Sequence, residues 1–350
     1  MTGDSFSLWV FGDAHVGTDL TRADRRSLAD ALRMSEQGGD GGGPPFHWDI
    51  AIDIGDMSGG QDLPDDEEGR EVVRQFSALE RHRREDVYSI CGNHDRSGLS
   101  EPPASTDHDR AIERVQCNYE ALGLELAAMG INVTCAPVLD VPQPDAHDII
   151  GDRAFAQTPE IVAKLGRACL VGLQLAGVAG VIKHIPGHGR ALSDSHESLP
   201  RVTASEPELA VDCAPFTELA DASMAMTAHV IFEAWDAEHC ASVSATVIQE
   251  QIRQRIGFDG LLISDDLDMK ALSGDISARA SAVLAAGCDI ALNCWGRLDD
   301  MTGIAEQVPA MTAEATERLV RACAPLRVAQ ASSALNARID ELLARRESLA

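Results

Sequence analysis

Eight short apolar runs, rich in β-branched residues, recur along the chain with longer amphipathic stretches between them. They are FSLWVF (6–11), WDIAIDI (48–54), DVYSIC (86–91), INVTCAPV (131–138), GVAGVIK (177–183), SMAMTAHV (223–230), DGLLIS (259–264) and CDIALNC (288–294). Helical stretches are expected between them, for example over 68–84, 109–129, 158–176, 244–256 and 277–286. Alternation of this kind builds a parallel α/β sheet or barrel, and eight strands are what a closed (β/α)8 barrel requires. Nearly every run ends in residues able to do chemistry: Asp13 and His15, Asp56, Asn93 and His94, Asp140, Lys183 and His184, His229, Asp265. In parallel architectures the active site lies at the carboxyl ends of the strands.

Composition narrows the partners. A formal net charge of -27 on 350 residues sets up a field that repels polyanions, so neither nucleic acid nor an anionic membrane is expected as a partner. Nine cysteines stand singly, mostly in apolar runs, with no C-x-x-C pair, which reads as buried reduced thiols in a cytoplasmic protein. The start, MTGDSFSLWVFGDAH, has neither a basic n-region nor a long apolar h-region, so no signal peptide is expected. No window offers the ~18 uninterrupted apolar residues of a membrane span. Composition sets no oligomeric state. Two passages read as seams: 36–47 is rich in Gly and Pro, and 96–109 separates the third run from the next helix.

The first three strand ends form one constellation. FGDAHVG places Asp13 and His15 two residues apart, DIGDMSGG ends on Asp56, and CGNHD ends on Asn93 and His94. Carboxylates, an imidazole and an amide converging from neighbouring strands suit two divalent metals that clamp a phosphoester. The order D-x-H, G-D, G-N-H-[DE] resembles the calcineurin-like metallophosphoesterases over residues 5–100. The resemblance implies that Asp13 and His15 hold a first metal, Asp56 bridges, Asn93 holds the second, and His94 faces the phosphate. The metal would be Mn, Fe or Zn. The further histidines of that family, one alone and then a G-H-x-H pair, are missing: PGHGR at 186–190 lacks the final His.

A second constellation begins near Gln116. IKHIPGHGRALSDSHESLP (182–200) leaves a strand on Lys183 and His184 and runs on to Asp194 and His196. FDGLLISDDLDMKAL (258–272) leaves another on Asp265 and Asp266, and IIGDRAFAQTP (149–159) supplies Arg153. A loop-borne acid/base opposite a strand-end carboxylate is the arrangement of covalent glycoside hydrolysis. These motifs resemble the β-N-acetylhexosaminidases of glycoside hydrolase family 3, the N-acetylglucosaminidases of peptidoglycan recycling among them. Ile185 stands where that family usually has Phe, and Thr227 where it usually has Pro.

The resemblance implies Asp265 as nucleophile, His196 as proton donor and later base, and Asp194 hydrogen-bonded to His196. Arg153, Lys183 and His184 would hold the hydroxyls of a terminal N-acetylglucosamine in a small oligosaccharide or muropeptide, with no cofactor. Asp266 reads as structural, His188 as holding the loop by hydrogen bonds, and His229 as either a core histidine or part of the site wall.

The family's D-Q-E-G-G strand end is absent from this sequence, and the three units in its place carry the metallophosphoesterase-like motifs. The expected fold class is therefore α/β, a (β/α)8 TIM-barrel-like chain, hybrid or incomplete. Its first three βα units come from a metallophosphoesterase-like segment, 1–105, and the remaining five from a family 3 portion, 106–350, with C-terminal helices. Three activities follow: a retaining β-N-acetylglucosaminidase, a metal-dependent phosphoesterase, or an inactive chimera.

Overall fold

The computed structural model describes residues 8–11, 50–53, 87–89 and 108–349, except 145, 148, 194, 196–197, 295–296 and 328–331. The chain divides into two compact units, Met1–Ser100 and Glu101–Ala350.

In the first unit, strands β1 (Leu8–Phe11), β2 (Ile50–Asp53) and β3 (Val87–Ser89) lie side by side in chain order. Both pairings are parallel, with Leu8 opposite Ile50 and Ala51 opposite Val87. Asp13, His15, Asp56, Asn93 and His94, the passage 36–47 and the helix expected over 68–84 lie outside the described residues.

The second unit opens with α1 (His108–Ala128) and continues through β4 (Val133–Thr134), α2 (Pro159–Ala176), β5 (Ala179–Ile185), β6 (Arg201–Val202), α3 (Glu206–Glu218), β7 (Met224–Thr227) and β8 (Ile231–Phe232). A π-helix at Val247–Ile256 occupies the stretch expected to be helical, and β9 (Leu261–Ile263) follows. Four helices complete the unit: α4 (Ile276–Ala286), α5 (Leu298–Gln307), α6 (Ala313–Cys323) and α7 (Ser333–Ser348). Strands β4, β5, β7 and β9 pair in parallel and in chain order, and Ile290 extends the row by a parallel bridge to Ile263.

Local chemistry explains the boundaries. Helix α2 begins with Pro at its first position, where no amide proton is needed, and ends at Gly177, whose φ of 83° suits a residue without Cβ. The run 131–138 is paired only at Val133–Thr134 and again at Val138, because between them the Ala136 amide turns back to Thr134 O at 2.9 Å instead of joining the ladder. Leu139, Ile182, Ile185, Phe216 and Phe258 lie at the centre, each with no solvent exposure, between the sheet and its covering helices. Helix α7 returns to α1, packing Ile339 and Leu342 on Cys117 and Ala121, with Arg338–Glu120 and Arg345–Glu113 pairs at 2.9 and 2.7 Å.

Candidate active site

The site of the second unit is assembled where its parallel strands end. Asp140 follows the β4 segment, Lys183 and His184 lie near the end of β5, His229 follows β7, and Asp265 and Asp266 follow β9. Parallel pairing in chain order directs all of these ends to one edge of the sheet.

Asp140 has no solvent exposure and accepts three hydrogen bonds. They come from His184 Nδ1 at 2.7 Å, the His184 amide at 3.3 Å and the His188 amide at 2.6 Å. Burial pushes its carboxyl upward, but the His184 charge and hydrogen bond, with His188, outweigh burial and hold it below its ordinary value. His184, itself buried, is thereby fixed in position.

Lys183 is pulled below its ordinary value by burial; the Cys135 thiol opposes the shift, Arg153 adds to it, and Asp265 and Asp140 oppose it. Arg153 ends a short 3-10 turn, Gly151–Arg153, and its Nε donates to Ile149 O at 3.1 Å.

Asp265 is partly exposed, and its Oδ1 accepts the Asp266 amide at 2.9 Å. Burial raises its carboxyl, but His184, His229, the Asp266 amide and Lys183 together hold it below its ordinary value. The product is an ionised carboxylate that remains reachable from solvent, a requirement for a nucleophile. Asp266 is a hub of the loop: its Oδ1 accepts the amides of Asp268 at 3.2 Å and Cys294 at 3.0 Å.

The segment 186–200 joins the end of β5 to β6, and both of its ends are pinned. On one side Gly189 O accepts from the Gln143 amide at 3.0 Å and Ala191 O from the His147 amide at 2.8 Å. Arg190 Nε donates to Asp212 Oδ2 on α3 at 2.5 Å. Burial outweighs that bond and raises the Asp212 carboxyl to about 6. On the other side β6 pairs with β8, and Arg201 bridges to Glu233 at 3.0 Å. Ser195 is 2% exposed and shares a 3.1 Å hydrogen bond with His188 Nε2, while His188 Nδ1 is buried without a partner. Burial, with His184 beside it, lowers His188 to about 4, so the ring is neutral near pH 7. Asp194 and His196 lie outside the described residues.

Of the expected residues, Asp265, Lys183, His184 and Arg153 belong to one electrostatically coupled neighbourhood. Asp140 was visible in the sequence only as a strand end, and its part in holding His184 follows from burial. The exposed thiols Cys135 and Cys294 also border Asp265, and nothing in their spacing signals it. Among the described residues no group of three or more His, Cys, Asp or Glu could hold a metal ion.

Fold and site together define a parallel α/β protein with an ionised carboxylate, a lysine and an oriented histidine at its strand ends. Residues 104–325 match the glycosyl hydrolase family 3 N terminal domain, and the chain belongs to that family. It is 37% identical over 211 residues to a beta-hexosaminidase of Thioalkalivibrio sulfidiphilus, a match of 57% of this chain and 60% of that one. It is 42% identical over 190 residues to a beta-hexosaminidase of Thiobacillus denitrificans, with 53% of this chain and 52% of that one covered. The chain thus spans about half to three fifths of the length of these curated relatives. Its fold is similar to NagZ from Neisseria gonorrhoeae, solved in complex with N-trifluoroacetyl-D-glucosamine. The TM-score is 0.64 at 25% identity over 98% of this chain and 97% of that one, which makes the α/β fold TIM-barrel-like.

Proposed function

We propose that the chain is a retaining β-N-acetylglucosaminidase that removes terminal β-linked N-acetylglucosamine through a glycosyl-aspartate intermediate. The observation that carries this reading is Asp265: an ionised, partly exposed carboxylate flanked by Lys183 and His184 at a strand end of a family 3 chain. The ligand in the complex of the similar fold and the names of the relatives support the sugar class.

In this mechanism an Asp265 oxygen attacks the anomeric carbon as the bond to the leaving oxygen breaks, and His196 gives that oxygen its proton. Water then loses a proton to His196, attacks the same carbon and frees the Asp265 carboxylate. Two inversions give net retention. A histidine in this role suits neutral pH because its ordinary value lies near ~6.5. Asp194 tunes His196, and Arg153, Lys183 and His184 orient the sugar hydroxyls. The reaction needs no metal. Muropeptide-like or chitooligosaccharide substrates, a cytoplasmic location and a role in peptidoglycan recycling belong to the same proposal, as does a division at 105/106.

A second reading rests on the first unit. Three parallel strands in chain order precede the D-x-H, G-D and G-N-H-D motifs, which supports a convergent metal site and phosphoesterase activity. One assay separates the readings. The glycosidase reading expects release of 4-nitrophenol from its β-N-acetylglucosaminide, unaffected by chelator and abolished in Asp265→Ala. Absence of turnover by folded protein sinks it. The phosphoesterase reading expects manganese- or zinc-dependent cleavage of an aryl phosphodiester, lost in Asp56→Ala.

A further inference from the structure

Behind Asp265 runs a chain of buried polar groups that none of the roles above employs. Thr227, His229 and Ser242 have no solvent exposure. Thr227 Oγ1 lies 2.7 Å from Ser242 Oγ, which lies 2.7 Å from His229 Nδ1. The other ring nitrogen, Nε2, lies 3.0 Å from the carbonyl oxygen of Asp266.

A carbonyl oxygen can only accept, so His229 Nε2 carries the proton. Burial holds the imidazole below its ordinary value, which keeps it neutral at working pH and leaves Nδ1 as a lone pair. The Ser242 hydroxyl must then donate to Nδ1. The Ala228 carbonyl, 3.0 Å from the same hydroxyl, competes for that proton. Giving it to Ala228 would leave two lone pairs facing each other at 2.7 Å, so the shorter contact takes the proton. Thr227 donates in turn to Ser242. Direction is thereby fixed from Thr227, the departure from the family's Pro, through Ser242 and His229 to Asp266.

The receiving residue is held at both backbone ends. Its carbonyl accepts from His229, and its amide donates to Asp265 Oδ1 at 2.9 Å. We propose that His229, locked in its Nε2–H tautomer by Ser242, is a positioning residue for Asp265, acting through the Asp266 backbone. The proposal rests on the reading of Asp265 as nucleophile.

The test compares His229→Leu, which has no donor, with His229→Gln, whose amide can still reach the Asp266 carbonyl. The groups facing Asp265 are Lys183 and His184 from β5, His188, the adjacent Asp266, and the thiols Cys135 and Cys294. All of them are common to both variants, and both lack the imidazole, so the pair isolates the hydrogen bond. Losing the Asp266 amide bond disfavours the ionised carboxylate, so the acid limb of kcat/KM moves to higher pH.

On 4-nitrophenyl β-N-acetylglucosaminide, His229→Leu is expected to lose about 30-fold in kcat with KM within about threefold, its acid limb raised by about half a pH unit. His229→Gln recovers kcat to within about fivefold and brings the limb below that of His229→Leu. Equal losses in the two variants, or an unmoved limb, overturn the proposal.

Should His229→Leu fail to give a cooperative melt, His229→Met, which also has no donor, against His229→Gln makes the same comparison, with the larger loss expected in His229→Met. An NMR titration of aspartate carboxyl carbons, assigned with Asp265→Asn, reads the same displacement without substrate. A chain that hydrolyses no aryl glycoside therefore ends the glycosidase reading, whereas an Asp265 titration identical in the variants ends this one.

Discussion

Asp140 is fully buried and receives three donors from the protein, which stabilise its charge. Replacing it by Asn puts an amide donor against at least one of those N–H groups. Asp140→Asn is expected to lower kcat/KM by about 10-fold or more, roughly 1.4 kcal/mol, with the loss divided between binding and turnover because His184 is displaced. The pH dependence of stability has a definite sign. The folded carboxyl lies below its unfolded value, so its contribution is full above the ordinary range near ~3.9 and is lost as pH falls through the folded value. Urea midpoints measured between pH 7 and 3 should fall more steeply for the parent than for Asp140→Asn. Parallel curves would show that the carboxylate contributes nothing to acid stability.

At the scale of elements, the register of the last strand segment depends on one carboxylate. Asp289 Oδ2 accepts the Leu262 amide of β9 at 2.8 Å and Arg253 Nη2 of the π-helix at 2.8 Å, while Oδ1 accepts Arg318 Nη1 of α6 at 3.0 Å. Arg253 and Asp289 are 9% and 4% exposed, so removing the acid strands a buried cation. Asp289→Ala is expected to cost about 3 kcal/mol, read as a lowered urea midpoint at unchanged slope. A cost under about 1 kcal/mol would mean that water reaches Arg253.

Strand positions were legible because runs such as GVAGVIK and DGLLIS are apolar on both faces and bounded by glycine or acid. Their paired lengths were not, since the Ala136 amide turns out of one ladder and the run 223–230 divides between β7 and the segment leading to β8. The π winding of Val247–Ile256 had no signal in apolar spacing.

For the whole molecule, residue types at strand ends carried most of what could be read beforehand. Asp265, Lys183, His184 and Arg153 were legible because each closes or follows an apolar run in a distinctive motif. Asp140, Ser242 and Thr227 were not, because their roles depend on partners 13 to 48 residues away that only packing brings within 3.5 Å. The first unit contributes three adjacent parallel strands, and the motifs read behind them lie outside the described residues.

The pinning of segment 186–200 has one more consequence. Its two ends are secured by backbone bonds at Gly189 and Ala191 and by the β6–β8 ribbon, contacts indifferent to the side chains between them. Closing a longer span between fixed posts costs little, on the order of 0.6 kcal/mol per doubling of length. An insertion in this stretch is therefore expected to cost activity, through the proposed proton donor His196, well before it costs stability.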